Sequence, residues 1–415
     1  MAHSANPEAG PGLVILSTSA ATPYADGQLG LSRKFLEGVR AYGRHWPGRV
    51  TVLVEPTVRP TGDLDHVRVW PSELGFGTLV APFSPALLRG VLQQQPHAAV
   101  VLGMLSSRHA ELERHVRSAG ATRVPWVLFA EQNLATRWRI AALSTRNPML
   151  RLRRLAGVLG RERRLVQAAG RVAGLQCNGT PAFAQYGPAN DNCLLYFDGR
   201  LTTALLPTPE AVQARVERNG RAGHLRLVFS GRLDRIKGAD HLVDMALELR
   251  RLGIPFELAL CGDGELRPAI EQRLRQHGLS ECVQVRGTLD FETELVPLVR
   301  EWADLFVCPH RQGDPSCTYL ETLGCGVPIV GYANEAFEGV VRHSRAGWLV
   351  PMDQPRRLAE AIANVAADRA ALAAASTRAL TFGAQHCFEP TFETRARHLL
   401  VTAGQQVAAG RPVHA

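Results

Sequence analysis

The chain has 415 residues, 46% of them hydrophobic and 20% charged, and its net charge of +9 comes almost wholly from arginine. That length suits two domains of roughly 100–200 residues each. No apolar run approaches the roughly 20 residues of a membrane-spanning helix, and apolar blocks recur too regularly for a disordered chain.

A basic balance suits polyanions, anionic lipid or phosphorylated small molecules. With no zinc-finger spacing or RNP-type aromatic block beside it, nucleic acid is not an expected partner. The first residues, MAHSANPEAGPG, lack the basic and apolar regions of a secretory signal. The expectation is a cytoplasmic protein, with any membrane association peripheral at the inner face. Eight cysteines are scattered without a CxxC pair, so neither a zinc site nor a disulfide framework is signalled.

In chain order, residues 13–16 read as a buried first strand, 17–30 as a loop rich in small residues, 31–42 as a helix and 50–54 as a strand. Further strands are expected at 98–102, 127–130, 172–175 and 194–197. Prolines 181, 188, 207 and 209 make 178–223 read as a passage between domains. Alternation then restarts: strand 225–230, helix 238–252, strand 256–261, helix 265–277, then strands 283–286, 305–308 and 328–331, with a helix at 316–324 before the last. This order predicts an α/β protein of two Rossmann-like, doubly wound domains facing a cleft. The expected boundaries are 1–200, a linker 201–222, a second domain 223–380, and a helical tail 381–415 that packs back on the first domain.

Three constellations fall at strand ends in the second domain. Gly231-Arg232 through Lys237-Gly238 follows a strand and presents a guanidinium fork and a mobile ammonium at the edge where open α/β sheets bind ligands. Gly262-Asp263-Gly264 is a tight turn that allows close approach by a planar group. Asp314-Pro315-Ser316 is a helix start, whose free NH groups suit phosphate, and Glu321 lies about two turns into that helix.

The sequence here resembles glycosyltransferase family 4. GRLDRIKG (231–238), CGDG (261–264) and VRGTLDFETELVPLVREWADLFVCPHRQGDPSCTYLETLGCGVPIVGY (285–332) match the family's order and spacing, as does the later AGWLVP (346–351). The resemblance is dense over 225–351 and thinner over the first half. It implies the GT-B fold, retaining chemistry, a nucleoside diphosphate sugar as donor, and no metal or other cofactor. Carried over position by position, Arg232 and Lys237 bind the donor diphosphate, while Gly231, Gly262 and Asp263 form turns near the donor. Ser316 and Thr318 stand at the phosphate-binding helix start, and Glu321 is the second acid of the E-x7-E motif, which contacts the ribose. The first acid falls at Gly313 and is absent, with Asp314 as its expected substitute. In the first domain, Gly27 is carried to the donor side and Gly30 to the acceptor side; Glu131 and Asn133 follow as acceptor-side polar residues.

The implied reaction moves a sugar to an acceptor hydroxyl of a sugar, lipid-linked or small-molecule acceptor, as in cell-surface polysaccharide or glycolipid synthesis. Its rivals are a GT-B epimerase or hydrolase and a non-catalytic nucleotide-sugar-binding protein. Finally, residues 146–171 predict a basic helix with Leu152, Leu155 and Leu159 on one stripe and arginines at 151, 153, 154, 161, 163 and 164. The preferred reading docks the leucines on the first sheet; contact with an anionic membrane is the alternative.

Overall fold

A computed structural model of the protein describes residues 10–58, 66–95, 97–118, 120, 124–143 and 147–404. The chain divides into two compact units. Unit 1 comprises residues 1–178, 182–196 and 389–415; unit 2 comprises 179–181 and 197–388.

Short apolar runs separated by helices can only pair side by side in parallel, because the helix carries the chain back across the sheet. Unit 1 therefore holds a seven-stranded parallel sheet in the order Cys193–Tyr196, Gly174–Asn178, Trp126–Ala130, Ala98–Met104, Gly12–Leu16, Val50–Val54 and Gly77–Val80. Val14, Leu16, Leu53, Val101, Leu128 and Leu175 fill its core.

Unit 2 has six parallel strands, ordered Val283–Gly287, Phe256–Cys261, Leu225–Ser230, Leu305–Cys308, Ile329–Tyr332 and Gly347–Val350. Numbered along the chain this is 3-2-1-4-5-6, so the winding reverses between Leu225–Ser230 and Leu305–Cys308. Open α/β sheets bind ligands beside such a reversal. Both sheets and their helices form Rossmann-like α/β units.

Three readings need correction. Residues 17–30 are not an open loop: Thr22–Pro23, Leu29–Ser32 and His66–Val69 form a small antiparallel sheet. The helix that follows runs Arg33–His45, capped by Ser32, whose hydroxyl accepts from the Phe35 NH. Second, residues 201–222 belong to unit 2 and hold helix Pro209–Arg221. Arg215 on this helix is only 2% exposed and donates to the carbonyls of Arg300 and Cys325 at 2.8 and 2.9 Å, and to that of Gly326. An arginine so buried must find carbonyl partners, and finding them fixes the helix to the unit.

Third, helix Pro148–Arg171 does not dock through its leucine stripe. Leu152 and Leu159 are 66% and 48% exposed; the buried apolar side chains are Val158, Leu165, Ala168 and Ala169. Arg146 lies outside the described residues.

Helix Phe388–Thr402 enters unit 1 from Glu389 onward. Its Arg395 Nε donates to Gln176 Oε1 at 3.0 Å and stacks on Tyr196 at 4.2 Å, satisfying a fully buried glutamine in mid-strand.

Candidate functional site

The reversal point of unit 2 brings four loops to one sheet edge, because the strands they follow are neighbours. Gly231–Gly238 and Gly262–Gly264 follow adjacent strands, as do residues 309–316 and 333–335. Backbone contact locks the first pair. The Gly231 NH donates to the Cys261 carbonyl at 3.0 Å, and a Cβ on Gly262 would lie 2.0 Å from the Gly231 oxygen. With φ at +137°, Gly262 is also in a conformation side chains avoid. The motif glycine is thus required twice over.

Asp234 folds the next turn by accepting the Lys237 NH at 2.8 Å. Its other oxygen pairs with the largely exposed Arg232 at 3.4 Å. Lys237 makes no ion pair among the described residues. Asp263 is exposed and paired with Arg267 at 2.9 Å; the Gly264 NH, then Arg267, holds its carboxyl below the usual range.

The loop after Leu305–Cys308 is pinned to the first. The Arg311 NH donates to the Ile236 carbonyl at 3.0 Å, and its guanidinium grips Asp240 at 2.7 and 3.1 Å. His310 beneath is fully buried, with neither ring nitrogen hydrogen-bonded among the described residues. Burial, aided by the Lys237 charge, pushes it well below its ordinary value, so it is neutral.

Helix Cys317–Gly324 then starts with Ser316 as its cap residue, although the Ser316 hydroxyl makes no cap bond. Ser316 and Thr318 are half-buried. Glu321 is 8% exposed, and its Oε1 accepts from Arg200 Nε at 2.9 Å. Arg200, whose guanidinium lies 4.1 Å from the Phe291 ring centroid, was not legible as a site residue, because it lies far from every motif in sequence.

The absent acid at 313 has a structural counterpart. A Cβ on Gly313 would fall 2.1 Å from Glu335 Oε2, so the Glu335 carboxylate occupies the space a side chain there would need. Asn334 sets this up. Its Oδ1 caps helix Glu335–Ser344 through the Phe337 NH, while its amide donates to the His310 carbonyl at 3.1 Å and the Tyr319 hydroxyl at 3.2 Å. Asp314 is half-buried, and its buried Oδ1 has no hydrogen-bond partner among the described residues.

The residues expected in unit 1 lie on separate elements. Gly27, at φ +91°, is the exposed turn of the hairpin. Gly30 is buried in strand Leu29–Ser32, where a Cβ would strike His66 at 2.6 Å. Asn133 is buried and caps helix Leu134–Leu143, its Oδ1 accepting from the Thr136 NH at 2.8 Å. Glu131 is half-buried at the end of strand Trp126–Ala130.

Residues 224–368 match the family model of glycosyl transferases group 1. The D-inositol 3-phosphate glycosyltransferase of Jonesia denitrificans is 25% identical over 248 residues, covering 54% of this chain and 57% of that protein. The putative colanic acid biosynthesis glycosyltransferase WcaL of Escherichia coli K12 is 23% identical over 34% of this chain and 35% of its own. The chain thus spans about half or less of the length of these relatives. Among solved structures, Anabaena Alr3699/HepE in complex with UDP superposes with a TM-score of 0.63 at 15% identity, over 94% of this chain and all of that one. Residues 224–368, within unit 2, thus carry the match to the group 1 glycosyl transferases, and the chain shares the fold of the Anabaena protein.

Proposed function

We propose that the protein is a retaining glycosyltransferase that moves a sugar from a nucleoside diphosphate sugar to an acceptor hydroxyl. The observation that carries this is the convergence of Arg232, Lys237 and the start of helix Cys317–Gly324 at the reversal point of unit 2. As the glycosidic bond to the diphosphate breaks, negative charge grows on the leaving phosphate, and fixed cations and NH groups stabilise it. The departing phosphate oxygen takes the acceptor proton, so no separate base is required. Glu321, held by Arg200, accepts from the ribose, and Gly231, Gly262 and Asp263 flank the nucleoside. The Glu335 carboxylate over Gly313 faces the sugar hydroxyls, which favours a transferring enzyme over a nucleotide-sugar binder that lacks the acid. Arginine and lysine meet the diphosphate charge in place of a metal ion.

The relatives' names support a polysaccharide or phosphorylated, glycolipid-type acceptor. No described helix is long and apolar enough to cross a membrane. The exposed Met149, Leu152 and Leu159 support peripheral contact of helix Pro148–Arg171 with an anionic membrane. Labelled nucleotide sugars incubated with and without polysaccharide-precursor acceptors test the reading. Acceptor-dependent transfer is expected; acceptor-independent release of free sugar would establish the hydrolase instead.

A further inference from the structure

The arginine surplus of the chain is concentrated on helix Pro148–Arg171, which carries seven arginines and a single acid, Glu162. Arg154, Gly157, Arg161 and Arg164 recur at intervals of three and four, which places them on one helix face. With Arg153, that face walls a cleft of about 820 Å³ in unit 1. The opposite wall is formed by Met104 to Ser107 and Gln132, at and just beyond the C-terminal ends of strands Ala98–Met104 and Trp126–Ala130. The winding of this sheet reverses between Ala98–Met104 and Gly12–Leu16, so the cleft opens at a ligand-binding edge of unit 1 itself.

Three of the cleft's arginines carry a charge that no described carboxylate pairs. Glu162 pairs with Arg137 at 2.6 Å and accepts from the Tyr186 hydroxyl at 2.6 Å. No carboxylate lines the cleft among the described residues, and Arg153, Arg161 and Arg164 make no ion pair among them. Like charges gathered in a concavity repel one another and raise the local concentration of anions. Guanidinium forks match the spacing of phosphate oxygens. Gly157 sits at the centre of this face, and a Cβ there would meet nothing within 4 Å, so the missing side chain keeps the cleft open.

A bilayer headgroup is the less suitable occupant. Leu152, Leu159 and Val166, 66%, 48% and 37% exposed, lie seven residues apart on another stripe of the same helix. At 100° per residue that stripe is roughly half a turn from Arg161. A membrane that receives the apolar stripe leaves the cleft facing away from it.

We propose that this cleft binds the phosphate or diphosphate group of the acceptor, which deepens, and rests on, the transferase reading above. A cleft of this volume has room for a diphosphate and an attached sugar.

Calorimetric titration with inorganic pyrophosphate tests it on four forms of the full chain: wild type, Arg232→Ala/Lys237→Ala, and that double variant combined either with Arg161→Gln/Arg164→Gln or with Gly157→Glu. The Arg232→Ala/Lys237→Ala background removes the cations of unit 2, which on the reading above would also take pyrophosphate. Binding is expected to persist in Arg232→Ala/Lys237→Ala and, within that background, to weaken about tenfold or more with Arg161→Gln/Arg164→Gln and to vanish with Gly157→Glu. Gly157→Glu should melt like wild type, since its side chain enters open space. Undiminished pyrophosphate binding in both combined variants would overturn the proposal. So would sedimentation with phosphatidylglycerol vesicles that depends on Arg161 and Arg164 while pyrophosphate fails to bind, because the arginines would then serve the bilayer. If pyrophosphate binds as expected but no nucleotide sugar is turned over, the transferase reading fails and the cleft stands.

Discussion

The two units share a plan, a parallel sheet whose winding reverses between its first and fourth strands, yet they furnish that edge with different materials. In unit 2 the edge is made of backbone: Gly262 abuts Gly231, Asp234 folds a turn, and one lysine rises from it. In unit 1 the edge is walled by side chains from a helix face, four arginines around one glycine. Backbone that must approach a flat nucleotide or hold an anion tolerates few residues, so its design is written as a fixed local motif. A wall of side chains needs only cations on one helical face, and many sequences supply that.

The largest effect should come from breaking the backbone-made edge of unit 2. Lys237 is one of two lysines in the chain, the other being Lys34. Replacing it with alanine should lower kcat/KM for the nucleotide sugar by roughly 2–4 kcal/mol of transition-state stabilisation, and Arg232→Ala should fall in the same range. Both variants should melt within a few degrees of wild type, since neither side chain is buried. Steady-state kinetics beside thermal melts read both. Near wild-type kcat/KM would transfer the diphosphate role elsewhere and dissolve the contrast between the units.

The same contrast explains what was legible in the sequence. Strands 50–54, 225–230, 256–261 and 305–308 stand as read, because a buried parallel strand is a short apolar run bounded by turn residues. Gly77–Val80 and Gly347–Val350 escaped, being half-exposed edge strands without such a run. Arg200 and Glu335 escaped for another reason. Each reaches the site through tertiary contact, Arg200 across 121 residues to Glu321 and Glu335 across 22 residues to Gly313. Helix Pro148–Arg171 shows the complementary error. Its leucine spacing was read correctly as a stripe, but periodicity marks a face without saying whether that face meets protein or solvent.

A smaller effect, shared by both units, concerns acid. His109 in unit 1 and His386 in unit 2 are each held at about 4 by burial first, aided by the charge of Arg108 and of His343 respectively. An unfolded histidine takes up its proton near 6.5, whereas these do so only near 4. Between those values the unfolded chain binds more protons, so stability is fully present above about pH 6.5 and is lost as pH falls toward 4. Each histidine adds a slope of at most about 1.4 kcal/mol per pH unit. Urea midpoints from pH 7 to 4.5 should fall accordingly, and His386→Phe should remove one share of the slope whatever it does to the midpoint at pH 7. A flat profile in wild type would mean that the imidazoles are reached by water.

The last effect decides which carboxylate serves the sugar. Asp314 is the neighbour in sequence of the vacant position, and Glu335 is the neighbour in space, with Oε2 2.1 Å from where a Gly313 Cβ would stand. A hydrogen bond to a charged group contributes about 1.5–3 kcal/mol, so Glu335→Gln should reduce sugar transfer about tenfold to a hundredfold. Nucleoside diphosphate affinity should stay unchanged, because the proposed reading gives the diphosphate to Arg232, Lys237 and the helix start. Asp314→Asn should change transfer less than threefold on the same scale. The swap is the sharper test. Gly313→Glu alone should be inactive and unstable, as the new side chain collides with Glu335. Combined with Glu335→Ala it restores one carboxylate to the same space, and transfer should recover above either single variant. If Asp314→Asn instead loses as much as Glu335→Gln, or the swapped pair recovers nothing, sequence adjacency has outweighed spatial adjacency, and the acid of this site is Asp314.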